Sequence, residues 1–282
     1  DLMIEEAIEV LDKKDPDQPL FMVYATPVPH LALQVPQDSL DEYLGKFEET
    51  PYDGTRGYLP HETPRAAYAA MITRMDRDIQ RLLDKLEELG IADNTLVVFT
   101  SDNGPSWIGG CDLEFFKSQG GLRGRKAQVY EGGLRVPTVV RLPDVIPAGS
   151  ESDFPSAFWD WWPTFYELID IKLPGAPYRP FPSTVPALSE LSGESLMPAL
   201  RGEDIRDRTQ PLYWEHNGRS QAILHEGWKL LRTHQDKPWE LYHLDEDIAE
   251  SEDLADKFPE KVSFLVELIE KERFDSELFP LK

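Results

Sequence analysis

Thr95-Leu96-Val97-Val98-Phe99-Thr100-Ser101-Asp102-Asn103-Gly104 is a strand-forming run that breaks into an oxygen-rich turn. Five of its first six residues are β-branched or aromatic, which suits a pleated, buried ladder. Gly104 permits a sharp turn, and Pro105 cannot continue a strand. In open α/β sheets, ligands sit just beyond the carboxyl ends of strands. At such an end, Asp102 and Asn103 either close an Asx-turn or offer hard oxygen ligands to Mg²⁺ or Ca²⁺.

Working outward, the segment upstream reads as a long helix. Thr63 is placed as N-cap, Pro64 as first helical residue and Gly90 as stop. Between them Tyr68, Met71, Ile72, Met75, Ile79, Leu82, Leu83, Leu86 and Leu89 recur at three- and four-residue steps. This stripe is core, and Arg74, Asp76, Arg77 and Asp78 fall mostly on the solvated face. Ile91–Asn94 forms the turn into the strand. Helix, turn and strand make half of a β-α-β crossover, which points to an α/β protein with a mostly parallel central sheet. Pro19 to Ala25 is a second buried-strand candidate, running into Thr26-Pro27-Val28-Pro29-His30. Two prolines stiffen that loop. His30 either donates to an anion and moves a proton, or caps a backbone carbonyl. Residues 2–11 form a one-faced helix. Residues 37–62 read as polar loop, with His61 solvated or lining a cleft.

Downstream, residues 105–125 are a glycine-rich loop that leads to Arg123, Arg125 and Lys126. Tyr130-Glu131-Gly132-Gly133-Leu134-Arg135-Val136-Pro137 follows. A Lys beside a Gly-rich backbone either sets a point charge on a tetrahedral oxyanion or is a surface loop residue. Thr138-Val139-Val140 is another strand, and 158–169 an aromatic helix whose rings belong to the core. Residues 172–194 are a Pro-rich connection. From Pro211 four short strands with turn signals predict a small antiparallel sheet, closed by an amphipathic helix from Pro259 to about Arg273. The expected division is 1–205 for the large α/β part and 206–282 for a small α+β subdomain.

Bulk properties narrow the partners. The 282 residues carry 52 acidic against 29 basic side chains, a net charge of -23. That field opposes nucleic acid and anionic membrane, so an anionic substrate needs a local positive cluster. One cysteine, Cys111, excludes a disulfide framework and a Cys-rich zinc site. No apolar run approaches the ~20 residues of a membrane helix.

Taken together and in order, these motifs resemble the type I, formylglycine-dependent sulfatases. The resemblance rests on Pro29-His30, the helix bearing Asp76, the Asn94–Gly104 strand, Lys126 four residues before Tyr130-Glu131-Gly132-Gly133, and the pair Trp214-Glu215-His216 and Gly227-Trp228-Lys229-Leu230. It implies an alkaline-phosphatase-like α/β fold and hydrolysis of aryl or carbohydrate sulfate esters. It makes Asp102 and Asn103 ligands of a divalent cation, calcium or magnesium. His30 and Lys126 become the groups that bind sulfate and assist the leaving oxygen, and His216 a substrate-side residue. A periplasmic or secreted location goes with the family.

The chain also departs from the family pattern. Cys111 lies in Gly109-Gly110-Cys111-Asp112-Leu113, without the Pro and Arg of the formylglycine motif. The family's N-terminal Asp pair, second Lys and second His are absent, and Asn217-Gly218-Arg219-Ser220 replaces a common pattern after His216. The expectation is therefore a sulfatase portion lacking the nucleophile region, inactive by itself. The alternatives are a phosphodiesterase or phosphonate hydrolase of the same superfamily, or an inactive truncated protein.

Overall fold

The computed structural model describes residues 2–169, 193–203, 205, 208–274, 277 and 280–281. The proposed connection at 172–194 lies outside them except for its last two residues. The chain separates into two compact units, Asp1–Leu96 with Gly104–Gly120, and Val97–Asn103 with Gly121–Lys282. The division expected at 205/206 falls inside the second unit.

The first unit is helical. Helix α1 (Leu2–Asp12) buries Ile4, Ala7 and Leu11, while Leu2 and Met3 of its expected apolar face stay exposed. Helix α2 (Gln37–Asp41) is short. Both lie against α3 (Pro64–Glu88), the long helix expected from its stripe. Arg81 to Glu5 at 2.8 Å and Lys85 to Asp12 at 2.9 Å tie α1 to α3. Thr63 precedes the helix but makes no side-chain cap. Instead the Glu49 carboxylate accepts from the amides of Arg65 and Ala66 at 3.0 and 2.9 Å. A carboxylate at this end meets both the orphan N–H groups and the positive end of the helix dipole. Gly90 ends the helix at φ +66°. Leu31, Leu33, Ala67 and Met71 form the core, with Tyr68, Ile108 and Cys111 against them.

The strand expected over Pro19–Ala25 is not formed. The segment is irregular, and Phe21 and Val23 are 76% and 73% exposed. Its residues have β propensity, but a strand exists only by pairing, and no neighbour ladders with it among the described residues. The short helix α4 (Leu113–Phe116), capped by Asp112, interrupts what reads as loop in the sequence.

The second unit contains strand β1 (Val97–Phe99), shorter than the run that predicts it. It pairs with β2 (Val139–Arg141), and the ladder is antiparallel. The α/β class holds, but no parallel ladder is present among the described residues. Helix α5 (Glu131–Leu134) lies between β1 and β2 in sequence. The aromatic segment begins as a 3₁₀ turn and continues as α6 (Trp161–Leu168), followed by α7 (Met197–Leu200). Asp160, fully buried, organises this region. Its carboxylate accepts from Ala157 N at 2.7 Å, Glu194 N at 2.9 Å and both Arg208 Nη groups at 2.8 and 2.9 Å.

The antiparallel sheet expected at the C-terminus is a meander: β3 (Leu212–His216), β4 (Ser220–His225), β5 (Trp228–Arg232) and β6 (Glu240–His243), paired in chain order. Alternation sends its side chains to two faces. Ile223, Leu230 and Leu241 meet Leu265 and Ile269 of helix α8 (Pro259–Glu272). Leu212, Ala222, Leu224, Leu231 and Tyr242 meet Val129, Tyr130, Leu134 and Trp159. The segment around α5 thus roofs one face of the sheet.

Candidate functional site

The roof is built on two glycines. A Cβ at Gly132 would lie 2.5 Å from Gly124 O and 2.7 Å from Arg123 O. A Cβ at Gly133 would lie 2.5 Å from Arg125 O and closer still to Gln128 O. These are backbone atoms, so the loop 123–128 rests directly on the bare faces of α5. Gly132 N donates to Arg123 O at 2.7 Å, and Gln128 N to Arg125 O at 3.1 Å. The Tyr-Glu-Gly-Gly motif is in physical terms a seat for the loop that carries Lys126.

That loop is fastened on both sides. Before Lys126, Arg123 donates to Tyr242 Oη at 2.7 Å, to Glu250 O at 3.0 Å and to Tyr130 Oη at 3.0 Å. Its guanidinium covers the Tyr130 ring at 4.0 Å. After Lys126, Tyr130 Oη donates to Glu240 at 2.9 Å, and Tyr242 Oη donates to the same carboxylate at 2.5 Å. Burial and the Glu240 charge raise both phenols above their ordinary range. Glu131 is 4% exposed and sits 2.8 Å from Lys229 Nζ, with Arg135 Nε at 2.7 Å on its other oxygen. Burial pushes the Glu131 carboxyl up, but Lys229 and Arg135 outweigh it and hold it below the usual carboxylate value. Lys229 also lies 2.8 Å from Glu250 Oε1, and Glu250 Oε2 accepts from Glu131 N at 2.7 Å.

The residues singled out in the sequence fall as follows. Lys126 is half-buried on this loop and has no ion-pair partner among the described residues. Asp102 is exposed and Asn103 half-buried, in a turn that begins just beyond β1 and that Ser101 Oγ closes onto Asn103 O at 3.1 Å. His216 is half-buried at the end of β3, before the hairpin to Ser220. The second unit holds all four; His30 belongs to the first. His30 is exposed, and its Nδ1–H donates to Leu31 O at 2.8 Å. A carbonyl can only accept, so Nδ1 carries the proton in the neutral ring. Its ring meets Tyr58 edge-on at 6.2 Å. His61 is half-buried in a bridge with Tyr52, and burial lowers its pKa.

Cys111 is not built as a nucleophile. It packs against the first unit's core, and burial pushes its thiol up to about 12. Reactive cysteines have the opposite shift. The described residues also do not compose a metal site. They contain no group of three or more His, Cys, Asp or Glu placed to hold a metal ion, and calcium takes about six to eight oxygens. Asp102 and Asn103 are two side chains towards that number.

The model of the Sulfatase family matches residues 1–171. The chain belongs to the sulfatase family. A second model, N-sulphoglucosamine sulphohydrolase, C-terminal, matches residues 124–273 and so takes in the loop, the sheet and α8. A sulfatase of Formosa agariphila is 29% identical over 272 residues, covering 89% of this chain and 44% of that protein. An N-acetylglucosamine-6-O-sulfatase of Bacteroides thetaiotaomicron is 30% identical over 217 residues, 72% of this chain and 34% of its own length. The crystal structure of Ps i-CgsB in complex with a neocarrahexaose matches with TM-score 0.77 at 26% identity, over 96% of this chain and 54% of that one. The chain thus spans less than half the length of the Formosa and Bacteroides sulfatases. The alkaline-phosphatase-like α/β class stands with this sulfatase fold.

Sequence reasoning missed Glu131, Lys229 and Glu250. One signal was available: Lys229 interrupts Trp228-Leu230-Leu231 in a strand otherwise bound for the core. A charge at such a position calls for a buried counter-charge.

Proposed function

We propose that this chain belongs to a sulfuric ester hydrolase acting on sulfated carbohydrates, with Lys126 as the cation on the sulfate. The observation that carries the reading is Lys126 itself. In a chain of net charge -23, it stands without an ion-pair partner among the described residues, on a loop fixed at both flanks. A preorganised positive charge stabilises the negative charge that grows on the bridging oxygen as the S–O bond breaks, at no cost in reorganisation. His30 keeps the role that the resemblance gives it, with Nε2 carrying the lone pair that can accept a proton when Nδ1–H is held by Leu31 O, and His216 is assigned to the sugar side. Carbohydrate is preferred to aryl substrates because one relative is an N-acetylglucosamine-6-O-sulfatase and one similar structure holds a neocarrahexaose. The reading includes calcium, for which Asp102 and Asn103 are two ligands, and a formylglycine nucleophile that is not Cys111. It also includes a periplasmic or secreted location.

The test is sulfate release from 6-O-sulfated N-acetylglucosamine and from 4-nitrophenyl sulfate by the full-length gene product. Turnover is expected, with Lys126→Ala lowering kcat/KM by about 10²–10³-fold, as for loss of one oxyanion-stabilising group. Turnover of phosphate or phosphonate esters but not sulfates moves the reading to the phosphonate hydrolase alternative. An unchanged kcat/KM in Lys126→Ala refutes the role of that lysine.

A further inference from the structure

The buried ion cluster beneath the roof is larger than stability requires. Lys229 is fully buried between two carboxylates, Glu131 and Glu250, at 2.8 Å from each. Replacing a buried ion cluster by apolar residues is often neutral or stabilising, so the fold alone does not explain it. What the cluster does provide is direction. In the sheet register Lys229 faces Leu224 and Tyr242, on the side that the roof covers. Its two partners hold both flanks of the Lys126 loop. Glu131 begins α5, the seat of the loop. Glu250 accepts the Glu131 amide through its carboxylate and the Arg123 guanidinium through its carbonyl. Glu250 reaches this double task at φ +54°, a left-handed conformation that a non-glycine residue adopts only at a cost. Burial raises the Glu250 carboxyl, and Lys229 opposes that rise.

We propose that Lys229 is the positioning residue for Lys126, acting through Glu131 and Glu250. It touches no substrate. It fixes where the loop sits on the C-terminal sheet, so that sheet sets the geometry of the sulfate-binding cation. The activity consequence rests on the function proposed above; the structural consequence does not.

Two readouts separate these. The first is amide hydrogen exchange in the 282-residue chain, comparing wild type with Lys229→Met/Glu250→Gln, which removes one charge of each sign, and with Glu250→Gln alone, which leaves Lys229 paired to Glu131. Exchange at residues 124–130 is expected to quicken at least tenfold in the double variant, and by less in Glu250→Gln, with β3–β6 protected as before. Unchanged exchange at 124–130 in both variants overturns the proposal. So does equal acceleration across the sheet, which marks a purely structural role. The second readout is a double-mutant cycle on kcat/KM in the full-length protein. If Lys229 works through Lys126, adding Lys126→Ala to Lys229→Met/Glu250→Gln costs less than twofold further. Full multiplication of the two effects overturns the positioning role. A silent Lys126→Ala by itself refutes the proposed function and, with quickened loop exchange, leaves Lys229 as the anchor of a loop with another use.

Discussion

Gly133→Ala is the sharpest probe of the seat beneath Lys126. In an open helix this change gains up to about 1 kcal/mol from propensity. Here the new methyl would lie 2.5 Å from Arg125 O and nearer to Gln128 O, whereas real Cβ contacts stay beyond 3.0 Å. Either the loop or α5 must therefore retreat by at least half an ångström. The loop is held by Arg123 on Tyr242 and Glu250, and α5 by the buried Glu131–Lys229 pair, so neither yields freely. Overpacking of this kind costs about 1–3 kcal/mol, which exceeds the propensity gain. Displacing a catalytic group by about 1 Å costs on the order of 10²-fold in rate. Urea unfolding monitored by tryptophan fluorescence should show a lower midpoint, and full-length Gly133→Ala should lose most of its kcat/KM. Gly45→Ala is the control. Its φ of +76° strains any side chain, but nothing lies within 4 Å, so its effect should stop at stability, about 1–2 kcal/mol. An unmoved or raised midpoint in Gly133→Ala would show that the loop does not rest on α5.

Further outcomes follow from other groups. Asp160→Ala strands Arg208 in the interior and should cost about 3–5 kcal/mol in urea unfolding; a loss below about 1 kcal/mol contradicts the buried pair. Cys111 should resist thiol reagents near neutral pH and react once urea unfolds the chain, because burial pushes its thiol up to about 12; quick labelling of the native protein counts against its burial. Burial raises the Tyr213 phenol to about 12, so the fold favours its neutral form. That contribution is complete below the unfolded value of about 10 and is lost as pH rises through about 12. An ultraviolet titration should find Tyr213 un-ionised where free tyrosine is half-ionised, and Tyr213→Phe should remove one late-titrating phenol.

What could be read from the sequence was what depends on local pattern. The α3 stripe, the four strands of the meander and the closing helix declare themselves through periodicity and turn residues. The candidate residues His30, Asp102, Asn103, Lys126 and His216 are likewise visible as polar breaks after apolar runs or beside glycines. Pairing was not visible: Pro19–Ala25 has strand composition without a strand partner, and β1 found an antiparallel neighbour rather than a parallel one. Nor was α5 foreseen, since Glu-Gly-Gly-Leu has poor helix propensity and is held by Glu250 and Lys229, far along the chain. Long-range ion pairs leave only a faint local trace, here a lysine inside an apolar strand.

The meander and its roof differ in when they can form. The four strands pair in chain order through short hairpins, so their contacts close over small separations. Such contacts form early. The fastenings of the roof close over 98 residues, from Glu131 to Lys229, and 119 residues, from Glu131 to Glu250. At about 5–20 residues per second of synthesis, roughly 6–24 s separate the emergence of Glu131 from that of Glu250. Until Lys229 emerges the Lys126 loop has neither of these anchors, and until Glu250 emerges it has at most one. The part of the molecule assigned to hold the sulfate is ordered only after the last strand of the sheet has left the ribosome, and a nascent chain halted before residue 250 carries the lysine without its setting.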